Sequence, residues 1–313
     1  MQVGDETSAR AIILRISGSA IHDGPGIRTV VALKGCPLRC QWCSTPESQK
    51  NGPEIAYYPG KCTGCIRCIT LCPENAIGFS GHIVSVDREH CNNCGLCASV
   101  CDPQALVVLG SEMTAYDVAA EVMKDAVFFR LSGGGAVVSG GEPLLNVDFT
   151  TELTRLLKEQ GVNTGIDTCG YVPWANIEKV LPYTEFFLWD VKVMDREEHK
   201  RLTGVYNDLI LSNLRRVSQA GTMVYLRYPV IPGLTDSDDN LQAIRDLAKE
   251  LISLSSPSKV KLHLLPVHHL GMARYESLGR PYPIDWNTYV ADEEMNRMKS
   301  AVEVSGIECS LEQ

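Results

Sequence analysis

Eleven of the thirteen cysteines in this 313-residue chain lie between Cys36 and Cys101, in groups of three, four and four. Thiolates two or three residues apart converge readily on one metal cluster, whereas neighbours that close rarely pair with each other. The first group reads Cys36-Pro-Leu-Arg-Cys40-Gln-Trp-Cys43 and follows a predicted strand over residues 29–34. Three thiolates hold three irons of a cubane and leave the fourth open, the feature that separates a reactive metal site from a closed one. Zinc would want a fourth protein ligand, and His22, the only local histidine, lies on the far side of that strand.

The second and third groups are Cys62-x2-Cys65-x2-Cys68-x3-Cys72 and Cys91-x2-Cys94-x2-Cys97-x3-Cys101. This spacing resembles the bacterial two-cluster ferredoxin run, in which the fourth cysteine of each quartet crosses to the other cluster. The implied ligand sets are Cys62, Cys65, Cys68 with Cys101, and Cys91, Cys94, Cys97 with Cys72. Asp102 displaces the usual following proline by one position and leaves the ligand spacing untouched. Structural zinc is the alternative, disfavoured because two full quartets repeat the same spacing. Clusters closed by four protein ligands carry electrons rather than bind substrate.

These groups need elements to position them. Strands are predicted over 29–34, 135–139, 164–168, 186–191, 223–230 and 259–265, with amphipathic helices such as 147–160, 209–220 and 241–253 between them. Alternation of helices with near-continuously apolar strands predicts an α/β fold with a parallel sheet. Six repeats fall short of the eight in a closed barrel, so the expectation is a partial (β/α)6 TIM-like barrel. Residues 1–53 and 110–313 would form it, and 54–109 would be an inserted ferredoxin-like double-cluster domain. The apolar runs of that insertion (76–79, 83–86 and 105–109) are too meagre for a core without metal. Polar groups follow several strands: Gly140-Gly141-Glu142, Asp167-Thr168, Asp190-Val191-Lys192 and His268. Strand C-termini are where such folds place their sites.

The CxxxCxxC spacing of Cys36, Cys40 and Cys43 resembles the radical S-adenosylmethionine (SAM) superfamily signature. That resemblance implies SAM bound at the open iron and cleaved by one electron to a 5′-deoxyadenosyl radical. Gly140-Gly141-Glu142-Pro143 is similar to the GGE motif that binds the methionyl amino group; alone, a Gly-Gly pair after a strand is only a turn. His22-Asp23-Gly24-Pro25-Gly26-Ile27-Arg28-Thr29, just before the first barrel strand, resembles the signature of glycyl radical enzyme activating enzymes. The two-quartet insertion resembles the subgroup serving dehydratases, decarboxylases and C–S or C–N lyases. The function implied is hydrogen abstraction from a glycine Cα in a partner protein, leaving a glycyl radical, 5′-deoxyadenosine and methionine. The resemblance also implies three [4Fe-4S] clusters, a flavodoxin or ferredoxin electron donor, and docking of the partner's C-terminal glycine loop.

Residue by residue, the resemblance makes Trp42 the aromatic whose backbone meets the adenine, and Asp190, Val191 and Lys192 a cofactor-contacting strand end. Asp167, Thr168 and Asp190 match a monovalent-cation site, although Asp167 alone reads equally well as a helix cap. His268, in Leu264-Leu265-Pro266-Val267-His268, is a cofactor-site residue, and Arg227 lies near the incoming peptide, a surface salt bridge being its plainer reading. His263 and His269 are expected to be structural, and Cys169 and Cys309 to be ordinary buried thiols.

Two other function classes compete. A radical SAM enzyme acting on a small molecule or ribosomal peptide often carries auxiliary cysteines near its C-terminus, whereas the last fifty residues here hold only Cys309. A pure electron carrier leaves the open cluster and the strand-end motifs without purpose. Composition agrees with a soluble enzyme: 44% hydrophobic and 21% charged residues, with a formal charge of −9 and no basic stretch to grip nucleic acid. No apolar run approaches the ~20 residues of a membrane span, and the first residues lack a signal-peptide pattern. The expected location is cytoplasmic, where clustered cysteines are metal ligands rather than disulfides.

Overall fold

The computed structural model describes residues 8–80 and 83–312. The first seven residues, on which the signal-peptide reading rests, lie outside them. The strands in chain order are β1 (Arg10–Ala20), β2 (Arg28–Leu33), β3 (Glu54–Tyr57), β4 (Ile77–Ser80), β5 (Ile83–Val86), β6 (Leu106–Leu109) and β7 (Ser111–Thr114). There follow β8 (Gly135–Gly140), β9 (Asn163–Thr168), β10 (Phe186–Asp190), β11 (Met223–Val230), β12 (Val260–Pro266) and β13 (Cys309–Leu311).

Nine of them form one sheet in the order β13-β12-β11-β10-β9-β8-β2-β1-β7. From β2 to β13 every pairing is parallel, and the six strands expected from sequence stand there side by side. β7 and β13 end the order, so the sheet is open at its two edges. The expected helices form as Val147–Glu159, Asp208–Gln219 and Asp238–Leu254. β1, β7 and β13 were not expected. β1 is antiparallel to both neighbours and is bulged between Ile13 and Arg15 and again between Ser17 and Ala20, which breaks the period-two pattern that would reveal it.

Parallel strands bury both faces, and these do so with different residues. One face packs Phe187, Trp189, Val224, Leu226 and Tyr228 under the helices. The other face changes character along each strand. Val137, Phe186 and Leu188 pack together near the strand starts, with Met223 and Tyr225 against them. Two residues further on, in the same pleat, Ser139, Asp190 and Arg227 open into a cavity with Asp167. The barrel floor is therefore apolar and its mouth is charged.

Between β2 and β7, β3 pairs with β6 and β4 with β5, both antiparallel. Short helices at Arg67–Thr70 and Leu96–Ser99 follow the first two cysteines of each quartet and carry the third. Ile55, Tyr57, Ile77, Val84 and Leu106 form a small core with Cys68 and Cys97. This region is tied to the sheet through a buried ion pair, Lys34 Nζ to Glu54 Oε2 at 3.0 Å, which Arg280 joins from the C-terminal region. Arg88 also donates to the Ser277 carbonyl at 3.0 Å. Among the described residues no helix is long and apolar enough to cross a membrane.

Candidate active site

The three-cysteine loop leaves β2 and crosses the C-terminal end of β8. It does so closely: a Cβ on Gly141 would stand 2.1 Å from the Gly35 carbonyl oxygen, and one on Gly140 would stand 2.3 Å from the Leu33 backbone. Gly140 also adopts φ +116°, which disfavours any side chain. The Gly-Gly pair is thus what lets the loop seat against the strand end.

A cavity of about 230 Å³ opens there, lined by Cys36, Cys40, Trp42 and Cys43 of the loop. Strand ends contribute Gly140, Gly141, Asp167, Thr168, Asp190, Lys192, Arg227 and His268. Residues scattered over more than two hundred positions meet at one mouth. Two sequence-expected residues do not face it. Val191 is buried in the core under the helices, and its N–H donates to the Arg227 carbonyl at 2.9 Å. Glu142 is fully buried beneath the cavity. Its carboxylate accepts from Thr168 Oγ1 at 2.8 Å, Cys169 N at 2.8 Å, Leu144 N at 3.1 Å and Cys169 Sγ at 3.0 Å. Burial pushes the Glu142 carboxyl up, and these donors work against that.

Charge at the mouth is paired. Lys192 Nζ stands 2.7 Å from Asp190 Oδ2; burial opposes its charge, but Asp190 and Cys40 outweigh that and raise its pKa. Arg227 reaches Asp167 at 3.3 Å and Asp23 at 3.7 Å. Burial raises the Asp167 carboxyl to about 6, against the pull of Arg227 and with the push of Asp190. The residues that resemble a monovalent-cation site have partners here: Lys192 for Asp190, Arg227 for Asp167, and the Thr168 hydroxyl donates to Glu142. Burial, then Arg274 and His269, lowers the pKa of His268.

The cysteines fit iron–sulfur clusters. Burial raises Cys40 to about 12, with Lys192 pulling it down, so a nearby cation or metal is what would make it a thiolate. Among the described residues no group of three or more His, Cys, Asp or Glu converges to hold a single ion. Cys36, Cys40 and Cys43 line one cavity, the space in which a cubane would sit. His22, the histidine nearest the three cysteines in sequence, points to Glu312 at 3.4 Å and lines a separate cavity. In the inserted region, one hollow is lined by Cys62, Cys65, Cys68 and Cys101 and another by Cys72, Cys91, Cys94 and Cys97. Those are the crossed sets expected from the spacing. Cys72 Sγ accepts from Ala76 N at 3.2 Å, and Cys101 Sγ from Leu106 N at 3.3 Å.

Sequence reasoning missed several cavity residues, among them Arg15, Ser139 and Cys169. Arg15 comes from β1, the strand that was not foreseen. Cys169, expected to be an ordinary buried thiol, lines the cavity, and its Sγ donates to Glu142 Oε2 at 3.0 Å. Its place directly after the Asp167-Thr168 strand end was the available signal. His269 is engaged structurally, with Tyr282 Oη at 2.9 Å and the Thr288 carbonyl at 2.7 Å.

A family model described as the Radical SAM superfamily matches residues 90–244, and one described as a 4Fe-4S dicluster domain matches residues 54–102. The isethionate sulfite-lyase activating enzyme of Oleidesulfovibrio alaskensis is 40% identical over 305 residues, covering 95% of this chain and 96% of that protein. The indoleacetate decarboxylase activating enzyme of Tractidigestivibacter scatoligenes is 38% identical over 322 residues, covering 98% and 99%. The chain belongs to the radical SAM activating enzymes of glycyl radical enzymes. As a member it is an iron–sulfur protein that uses SAM. A radical SAM methyltransferase from Sphaerobacter thermophilus shares the fold, with TM-score 0.55 at 16% identity over 96% of this chain and 77% of that one.

Proposed function

We propose that this activating enzyme binds SAM in the strand-end cavity against a cluster held by Cys36, Cys40 and Cys43, and installs a glycyl radical on a partner protein. The observation that carries this is the meeting of the three-cysteine loop with the strand-end groups in one cavity at the mouth of an open sheet. When bound, the cluster and SAM supply a 5′-deoxyadenosyl radical that takes a hydrogen from a glycine Cα, leaving 5′-deoxyadenosine, methionine and the glycyl radical.

The chain's own residues position the reactants. Gly140 and Gly141 would offer bare backbone to the methionine moiety, and Trp42 and His268 would hold the adenosine. Lys192, held by Asp190 at 2.7 Å, would supply a cation for the cofactor carboxylate. Glu142 acts from below, by fixing Thr168 and Cys169. Two closed clusters, held by the crossed quartets, complete a set of three, and residues 54–109 act as their holder. They would pass electrons from a flavodoxin or ferredoxin.

Hydrogen abstraction needs the target Cα in near contact with the 5′ carbon. A glycine in a folded partner reaches that point only on an extended loop. A second cavity, lined by His22, Gly24, Pro25, Lys261, His263 and Glu312, lies between the 22–28 loop and β12–β13. Arg227, which lines the first cavity, is ion-paired at 3.7 Å with Asp23, whose chain neighbours His22 and Gly24 line the second. Relatives of near-equal identity are named for a sulfite-lyase and a decarboxylase, so the partner is proposed by class only.

Anaerobic mixing of the chain, reductant, SAM and a matched partner should give an electron paramagnetic resonance doublet that collapses when the target glycine is deuterated at Cα. Turnover of a small molecule with no doublet on any matched partner would move the chain to the small-substrate class. Cys36, Cys40 and Cys43 replaced together by Ala should cost about four of about twelve irons and all 5′-deoxyadenosine formation.

A further inference from the structure

The inserted region has a near end and a far end relative to the barrel. Its two chain ends meet at the near one, where Glu54 of β3 stands opposite Leu109 of β6 and pairs with Lys34. A Cβ on Gly110 would stand 2.5 Å from the same Lys34 side chain, and Lys34 is two residues before Cys36. From there β3 runs outward. Ile55 lines the hollow of Cys72, Cys91, Cys94 and Cys97, and its N–H donates at 3.0 Å to Asn93 Oδ1, between Cys91 and Cys94. Tyr57 lines the hollow of Cys62, Cys65, Cys68 and Cys101, two residues or about 7 Å further along the strand. Arg88 ties the near end a second time, donating to the Ile55 and Ser277 carbonyls. The Cys91 set is therefore the inner one and the Cys62 set the outer one.

The two rims differ in charge. Around the outer hollow Cys65, Ile66 and Phe79 are exposed, with Lys61 before the first cysteine and Arg67, paired with Asp102, after the second. Two cations against one anion leave that rim positive. Around the inner hollow, exposed Glu74, Asp87 and Glu89 outnumber Arg88, which turns inward to its two carbonyls. A carrier must bring its redox group close to an exposed cluster, and charge complementarity sets how often it does so.

We propose that an acidic one-electron carrier protein docks on the outer rim around Cys65, so that the outer set takes its electron and the inner set hands it on towards Cys36, Cys40 and Cys43. The inference rests on the two quartets holding clusters. One electron moves and no bond forms or breaks: the carrier is oxidised by one equivalent and the outer cluster is reduced by one.

The test is anaerobic stopped-flow mixing of the fully loaded protein with a reduced acidic flavodoxin, read by cluster absorbance. Lys61→Glu with Arg67→Glu reverses the rim and should slow the second-order reduction about tenfold at low salt, with iron content unchanged. Arg155→Glu with Lys179→Glu makes the same change in net charge at exposed positions on the barrel's helices, and should slow it about twofold at most. In 1 M salt, where screening acts over about 3 Å, the rim variant should match wild type. Equal slowing by the two pairs, or a wild-type rate for the rim variant, overturns the proposal. For the order of transfer, Cys65→Ala should remove the fast phase, whereas Cys94→Ala should keep it and stop the electron short of the catalytic cluster. The opposite pattern overturns the proposal as well, and if either cysteine variant loses both clusters the rim pair still decides. A loaded chain with only about four irons would sink the cluster reading instead, a distinguishable failure.

Discussion

Glu142→Ala tests the claim that this carboxylate acts from beneath the cavity. The substitution leaves the Cys169 N–H, the Leu144 N–H and the Thr168 hydroxyl without their acceptor in a fully buried place. Each stranded buried donor costs ~1–3 kcal/mol. Against that, the substitution removes a carboxylate that burial already disfavours in its charged form. A net loss of ~3–4 kcal/mol follows, which at ~2 °C per kcal/mol is a fall of roughly 6–8 °C in Tm for a chain of this size. Glu142→Gln keeps one acceptor oxygen and presents an NH₂ to the remaining donors, so it should lose about half as much. Affinity for SAM should weaken in parallel with Tm across the two variants, because the cofactor would feel the displaced 168–170 turn rather than a missing contact. The assay is anaerobic thermal unfolding with equilibrium dialysis of SAM. Lost SAM affinity with wild-type Tm in both variants would refute the reasoning and put the carboxylate in the cavity.

The crossed quartets predict that Cys62→Ala and Cys101→Ala erase the same spectroscopic signal, and that Cys72→Ala groups with Cys91→Ala; uncrossed pairing would group Cys72 with Cys62. Glu54→Gln removes the carboxylate facing both the buried Lys34 ammonium and Arg280 and should cost ~3–5 kcal/mol, while the paired change Lys34→Met with Glu54→Leu should recover only part of it, since Arg280 still loses its partner. Urea unfolding of the loaded protein reads both, and equal losses would count against the pair. The folded pKa of Asp167 is raised from 3.8 to about 6, so the folded chain binds that proton more tightly and stability falls as pH rises through this window. His263 is lowered from 6.5 to about 4 by burial, so its contribution is present above 6.5 and is lost as pH falls towards 4. Thermal scans of the metal-free chain from pH 4 to 7 should lose the first slope in Asp167→Asn and the second in His263→Gln; unchanged slopes in either variant would contradict the burial argument.

The cysteine spacing determined the metal chemistry by itself, because ligands two and three residues apart are brought together by local backbone geometry. Cys36, Cys40 and Cys43 share one cavity as the spacing implied, and the two hollows of the inserted region hold the crossed sets. Six parallel strands were equally legible, since strands buried on both faces leave continuous apolar runs. β1 was not, because bulges and antiparallel pairing break its pattern, and with it Arg15 escaped notice. Tertiary structure alone decided which side each strand-end residue faces. Glu142 turns under the cavity because Thr168 and Cys169, from the next strand, offer it donors there. Val191 turns into the core because it alternates with Asp190 and Lys192 across the backbone. Arg227 and Lys192 neutralise the carboxylates that sequence had offered to a cation, from positions that only the folded sheet makes adjacent. Cys169 came to line the cavity in the same way. Metal-ligand spacing is a property of a short stretch of chain, whereas the burial and partners of a polar side chain depend on what distant strands bring beside it.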